Sequence, residues 1–246
     1  MKIEFCGLLD KGCKRTQNQD MILMRCSQDM GLFMVADGMG GHSQGEKASS
    51  MLARYLDMTW NEIQEQKGKI DFQQMIMMLQ KSLQDANEQI YSQYNSESVC
   101  GSTVTALFLY QNKYCMFHCG DSRLYCMKKF RLEQLSIDDV WENQSDVVLK
   151  LSSKQIKTNF NKGKLVRAVG TSNNLELTVE TNKLTGNECF MLCSDGLYKM
   201  IDNRLMQKAM CRYKKGQDGK EVLKKLLLSV YKEGAEDNIS VIFVKL

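Results

Sequence analysis

The chain contains no proline, and no functional reading attaches to that absence. It also contains no CxxC pair, although ten cysteines are present, at positions 6, 13, 26, 100, 115, 119, 126, 189, 193 and 211. Zinc clusters are usually built from tight CxxC or CxxH pairs, so a zinc-binding fold is disfavoured. Most of the cysteines lie inside apolar runs, as Cys189 and Cys193 do on either side of Phe190-Met191-Leu192. They read as reduced thiols that pack as small hydrophobes. Cys115 and Cys119 would share one face of a strand with His118 on the other, which weakens a zinc reading further. No apolar run approaches the roughly 18 residues of a membrane span. Residues 1–15 hold no apolar stretch long enough for a secretory signal, so the expected location is the cytoplasm. Charge of one sign is scarce too: 33 Lys and Arg against 29 Asp and Glu leave +4. That is too little to argue for nucleic acid or a membrane surface as a partner. There is no fixed-period repeat, no low-complexity tract and no dividing linker. The 246 residues, 43% hydrophobic and 25% charged, therefore read as one globular domain over 1–246 with a substantial core.

What is present is organised around two similar stretches. Leu32-Phe33-Met34-Val35-Ala36 ends in Asp37-Gly38, and Phe190-Met191-Leu192-Cys193-Ser194 ends in Asp195-Gly196. Each has the length and composition of a buried strand, and Asp-Gly suits a turn where the chain leaves the sheet. Around them, strands are expected over 1–8, 20–26, 31–36, 102–110, 113–119, 122–128, 130–135, 175–180, 189–194 and 239–244. The central four read as an antiparallel meander with hairpin turns at Gln111-Asn112 and Lys129. Gly38, Gly40, Gly41 and Gly45 read as a flexible turn before a helix over 44–60, with Ser43 and Glu46 as its capping box. Polar residues 61–71 then connect to a second helix over 72–94. Its apolar stripe of Phe72, Met75, Ile76, Leu79, Leu83, Ala86 and Ile90 reads as core packing rather than a binding groove. Further helices are expected over 201–212 and 220–232. Residues 136–164 are polar and irregular and read as a surface flap. Strands at both ends with helices grouped between them imply an α+β sandwich, two stacked antiparallel β-sheets flanked by helices on both outer faces.

Five acids fall at predicted strand ends: Asp20, Asp37, Asp121, Asp195 and Asp237. Each alone is an ordinary turn residue. Together they would form a cluster that repels itself unless cations are bound. Carboxylates without His or Cys suit hard ions such as Mg²⁺ or Mn²⁺. Two such ions can share a carboxylate and clamp a phosphoryl group for in-line attack by water. Arg15, five residues before Asp20, suits a bidentate phosphate contact. The residues by themselves leave two readings open, independent turn residues or a binuclear hard-metal hydrolase.

Ordered motifs then add a resemblance. Arg15-Thr16-Gln17-Asn18-Gln19-Asp20 is followed by Ala36-Asp37-Gly38-Met39-Gly40-Gly41-His42, with Gly45-Glu46 and Ala48-Ser49 after it. Gly101-Ser102-Thr103, Cys119-Gly120-Asp121-Ser122-Arg123, Gln134-Leu135-Ser136-Ile137-Asp138 and Val166-Arg167-Ala168-Val169-Gly170 come next. Cys193-Ser194-Asp195-Gly196-Leu197 and Asp237-Asn238-Ile239-Ser240-Val241 close the series. In this order, over essentially the whole chain, they resemble the metal-dependent protein serine/threonine phosphatases of the PP2C family, bacterial branch. The resemblance implies a metal cleft at one end of the sandwich, with Mn²⁺ or Mg²⁺ as cofactor, two ions and a third, weaker site. It implies that Asp37 bridges the two ions and that the Gly38 carbonyl binds one of them. Asp195 and Asp237 complete the first site, Asp20 holds water, and Asp121 with Asp195 forms the third site. Arg15 would receive the substrate phosphate, and water would attack phosphorus with no phosphoenzyme. The implied partners are phosphoserine and phosphothreonine proteins and a cognate serine/threonine kinase, with the enzyme a monomer.

The sequence departs from the family pattern at several points. Met39 stands where animal members carry a His after Asp-Gly, so that position supplies no general acid. His42 reads equally as a proton donor or as a structural cap. Asp138-Asp139 replaces Asp-His, Tyr198-Lys199 replaces Thr-Asp, and residues 140–164 lack His-Pro. These changes are expected in or near the flap, bearing on substrate choice more than on chemistry. Two other readings follow the same scaffold: a catalytically inactive regulatory module, disfavoured because all five acids are present, and a phosphatase of small molecules.

Overall fold

In the computed structural model, residues 2–40, 44–94, 99–144, 147 and 150–246 are described. Eleven strands occur among them: β1 (Glu4–Asp10), β2 (Asp20–Cys26), β3 (Met30–Met39), β4 (Gly101–Ser102), β5 (Val104–Tyr110), β6 (Lys113–Cys119), β7 (Arg123–Lys128), β8 (Arg131–Gln134), β9 (Thr178–Lys183), β10 (Cys189–Cys193) and β11 (Ile239–Lys245). One sheet has the order β1-β11-β10-β7-β8 and the other β2-β3-β5-β6-β9, with β4 paired to β3. The pairings within both sheets are antiparallel. The described helices are α1 (Gln44–Glu65), α2 (Phe72–Tyr94), α3 (Ser153–Thr158), α4 (Asp195–Tyr198), α5 (Asn203–Lys214) and α6 (Gly219–Lys232). None is long and apolar enough to cross a membrane.

Side chains alternate across each strand, and here both faces are covered. Phe33, Val35, Leu107, Leu109 and Met116 from one sheet meet Leu124, Phe190, Leu192, Ile242 and Val244 from the other. The alternate residues Leu32, Met34, Ala36, Ala106, Phe108 and Phe117 face outward against α1 and α2. On the far side Met191, Val241 and Phe243 pack against Met206, Met210, Leu223, Leu226 and Val230 of α5 and α6. Burial on both faces accounts for continuous apolar runs where a one-sided sheet would alternate. The α2 stripe is core, as its spacing predicts: Met75, Leu79, Leu83, Ala86 and Ile90 are fully buried.

Several expectations need correction. The first Asp-Gly is no turn: β3 runs on through Asp37 to Met39, with Asp37 opposite Asp20 and Gly38 opposite Ser102. Glycine is required there by close approach, since a Cβ on Gly38 would lie 2.1 Å from the Gly45 carbonyl oxygen and 2.6 Å from that of Gln19. Gly45 belongs to α1, not to a turn, and α1 extends to Glu65. The second Asp-Gly opens α4. The central strands form no single meander, because β5 and β6 lie in one sheet and β7 and β8 in the other. The chain changes sheets at Gly120, whose φ of 112° a side chain would oppose. The turns at Gln111 and Lys129 do form, with φ of 51° and 54°. The start of the flap is not at the surface: Asp138 and Asp139 are buried and paired with Arg123 and Arg167. Ser43, expected to cap α1, and Gly41 and His42 lie outside the described residues.

Phe33, fully buried between the sheets, tests the inter-sheet core. Phe33→Ala should lower unfolding free energy by about 3–5 kcal/mol in equilibrium denaturation. A loss under about 1 kcal/mol would show that the space between the sheets is not close-packed.

Candidate metal centre

The rows of side chains that fill the space between the sheets change character at one end. Ile22 and Met24 of β2 face the other sheet, and the same parity brings Asp20 there; on β3 the row Phe33, Val35 continues to Asp37. The rows Phe190, Leu192 and Ile242, Val244 likewise lead to Ser194 and Ser240. The apolar layer thus ends in carboxylates and hydroxyls contributed by both sheets.

Asp20 is fixed from the opposite sheet. Its Oδ2 accepts hydrogen bonds from Ser194 Oγ at 2.7 Å and Ser240 Oγ at 2.5 Å. Its Oδ1 is buried and finds no partner among the described residues. Asp37 is held by its backbone: its N–H donates to Thr103 Oγ1 at 2.9 Å, and its carbonyl accepts from Thr103 N at 2.9 Å and Ser102 Oγ at 3.0 Å. Asp195 begins α4; its Oδ2 accepts from Lys199 Nζ at 2.6 Å, while its Oδ1 is buried and partnerless. Asp237 accepts from Arg15 Nη2 at 2.6 Å and from the Asn238 N–H at 2.8 Å. Asn238 also staples the Arg15 loop, donating from Nδ2 to the carbonyls of Lys11 and Gln17 and accepting from Gln19 N. Asp121 is 5% exposed, and its carbonyl and Oδ2 accept from Tyr198 OH at 3.1 and 3.3 Å.

The other four acids all lie near enough to Asp37 to repel its charge. Burial, followed by repulsion from Asp20, Asp195, Asp121 and Asp237, holds the Asp37 carboxyl well above the usual carboxylate range. Burial raises Asp20 to about 6; the Ser240 and Ser194 bonds oppose the rise, and Asp195 and Asp237 add to it. Asp121 is raised by burial and then by Asp195. The Arg15 guanidinium is stabilised first by its bond to Asp237, with further attraction to Asp37 and Asp195.

In the arrangement shown, cations of the chain itself occupy three of the acids. Among the described residues no three His, Cys, Asp or Glu side chains converge closely enough to hold an ion as they stand. Asp237 faces Arg15, and Asp195 faces Lys199. The donor set nonetheless fits hard divalent cations, because it consists of oxygens, repels itself and leaves Oδ1 of both Asp20 and Asp195 buried without a partner.

The five predicted acids and Arg15 therefore lie in one neighbourhood, without forming a ready ligand set. The expectation for Tyr198 and Lys199 is corrected: both touch the acids, not the flap. The flap base does reach the centre, since Asp138 holds Arg123, whose guanidinium stacks 3.5 Å from the Tyr198 ring centroid. Ser194 and Ser240 were not singled out; their signal was to sit in the same rows as the buried apolar residues. His118 is a buried structural residue, bonded to Thr105 Oγ1 and to the Ile137 carbonyl. The cysteines are free thiols, six of them buried, and burial pushes Cys115 and Cys189 up to about 12. Cys13 and Cys26 are exposed, so the core reading does not extend to them. A cavity of about 850 Å³ lies beside β6 and β9, lined by Met116, Ile137, Asp139, Arg167 and Glu176; none of the five acids lines it.

A family model described as protein phosphatase 2C matches residues 13–229. Over 240 residues the chain is 28% identical to the serine/threonine phosphatase stp of Listeria monocytogenes serotype 4b (strain F2365), covering 96% of this chain and 93% of that protein. Its fold resembles that of the S. agalactiae serine/threonine phosphatase, with a TM-score of 0.87 at 23% identity over 100% of both chains. It also resembles the catalytic domain of the serine/threonine protein phosphatase PstP in complex with two manganese ions, with a TM-score of 0.78 at 22% identity over 99% of this chain and 97% of that one. The two structural likenesses show the sandwich of antiparallel sheets with flanking helices.

The raised carboxyls predict the pH dependence of the metal-free protein. Asp20 titrates near 6 in the fold against an ordinary 3.8, so the folded chain binds this proton more tightly than the unfolded one. Its contribution is present below the unfolded value and lost as pH rises through the folded one. The thermal midpoint in chelator should therefore fall between about pH 5 and about pH 7, and saturating Mn²⁺ should remove most of that fall. A midpoint that rises over the interval, or a fall that Mn²⁺ leaves unchanged, would contradict this.

Proposed function

Because this chain belongs to the protein phosphatase 2C family, we propose that it hydrolyses phosphoserine and phosphothreonine esters of proteins, with two hard divalent cations held by its acid cluster. The observation that carries the reading is that four further acids, from separate parts of the chain, lie near enough to Asp37 to repel its charge. Mn²⁺ or Mg²⁺, when bound, neutralises the phosphoryl oxygens and lowers the pKa of water near neutral pH. Asp37 and the Gly38 carbonyl, with Asp195 and Asp237, would hold the pair. Asp20, clamped by Ser194 and Ser240, presents its partnerless Oδ1 to orient water.

Arg15 would receive the phosphate. Its guanidinium now bonds Asp237, so a substrate phosphate and a cation on Asp237 would each take one half of that ion pair. In the reaction a water oxygen bonds to phosphorus, the ester P–O bond breaks, and the serine or threonine alcohol leaves with a proton. Met39 donates no proton, and the alternative donor, His42, lies outside the described residues. The substrate class implies a serine/threonine kinase that supplies the ester. The reading takes 1–246 as one catalytic domain, monomeric and cytoplasmic.

Hydrolysis of a phosphothreonine peptide with Mn²⁺ tests the reading. Asp37→Asn and Asp195→Asn should each lower kcat/KM at least ~100-fold, a loss of about 2.7 kcal/mol of transition-state stabilisation. Chelator should abolish activity and Mn²⁺ restore it. Full activity in chelator, or variants as fast as the wild type, would overturn it.

A further inference from the structure

One pair of the buried acids already carries a cation that belongs to the chain. Lys199 Nζ stands 2.6 Å from Asp195 Oδ2 and 3.6 Å from Asp121 Oδ2. The position is built, not incidental. Asp195 and Lys199 are one helical turn apart, and the Lys199 N–H donates to the Asp195 carbonyl at 3.0 Å. Tyr198 donates its hydroxyl to Asp121, which leaves the Asp121 carboxylate with a neutral donor and an ammonium. The Tyr198 ring is in turn covered by Arg123, which Asp138 grips with bonds of 2.6–3.0 Å. A chain of contacts thus runs from the flap base to the Asp121–Asp195 pair and ends in a lysine.

We propose that Lys199 is a resident cation that takes the place of a divalent ion between Asp121 and Asp195, so that this protein holds its metals elsewhere in the cluster and none bridges these two carboxylates. A hard divalent ion needs carboxylate oxygens at about 2.0–2.2 Å. Such an ion on Asp195 Oδ2 would lie in the space the ammonium fills, with a second positive charge beside it. The ammonium is covalently tethered, so dilution and chelator do not remove it. One cation of the chain thus faces both carboxylates of this pair, whereas among the described residues Asp37 and Asp20 meet no cation at bonding distance. The inference rests on the two-cation reading of the neighbouring acids.

Counting Mn²⁺ bound to the full chain by equilibrium dialysis tests it, with free Mn²⁺ read by electron paramagnetic resonance. Lys199→Ala and the near-isosteric Lys199→Met should each bind one more equivalent than the wild type at saturation. Adding Asp121→Asn to either variant should remove the extra equivalent, and Lys199→Arg should keep the wild-type count. Equal counts in wild type, Lys199→Ala and Lys199→Met would overturn the proposal, as would an extra equivalent that survives Asp121→Asn. The wild-type count is judged separately: fewer than two equivalents would defeat the two-cation reading, while the difference between variant and wild type judges the lysine.

Discussion

Like charges buried side by side are the constraint on which this structure depends. Asp20 and Asp37 stand opposite each other on adjacent strands, where like charges are destabilising. Both face the space between the sheets, where water is scarce. Much around them reduces that cost. Ser194 and Ser240 reach across from the other sheet to one oxygen of Asp20, Arg15 takes Asp237, and Lys199 takes Asp195. What the described residues leave uncompensated, Asp37 and Oδ1 of Asp20 and Asp195, is where a divalent cation fits.

The sandwich makes this possible because it is covered on three layers. Apolar side chains fill the space between the sheets, and helices α1 and α2 on one outer face and α5 and α6 on the other bury two further clusters. Stability on that scale offsets a strained polar end. The two sheets also divide the task. Asp20 and Asp37 come from one, Asp195 and Asp237 flank strands of the other, and Asp121 lies where the chain crosses between them. A shift of one sheet against the other would part the acids, and the serine bonds to Asp20 span that interface.

The apolar runs and the three-and-four spacing of α2 made most elements legible in the sequence; the five acids were legible because each borders such a run, and Arg15 by its place five residues before Asp20. The manner of their delivery was not. Asp-Gly is an ordinary turn pair, but at Asp37 the backbone stays in the strand because Gly38 lies against Gly45 and Gln19, a tertiary contact with no local signal. The crossing at Gly120 was hidden for the same reason, since four short strands in a row look alike whether or not they share a sheet. Asp138 and Asp139 read as surface because their arginine partners, Arg123 and Arg167, are distant in sequence. Lys199 looked like a change of specificity; only the helical turn that returns it to Asp195 shows its part among the acids.

The central claim is that these carboxylates weaken the metal-free fold and that cations reverse the effect. Thermal unfolding of Asp37→Asn beside the wild type, in chelator and in saturating Mn²⁺, tests it most directly. Removing the charge with the shape kept should raise the midpoint in chelator, because repulsion among the acids is relieved, and should abolish most of the rise that Mn²⁺ gives the wild type. An Asp37→Asn protein that melts lower than the wild type in chelator and still gains the full Mn²⁺ shift would contradict the account.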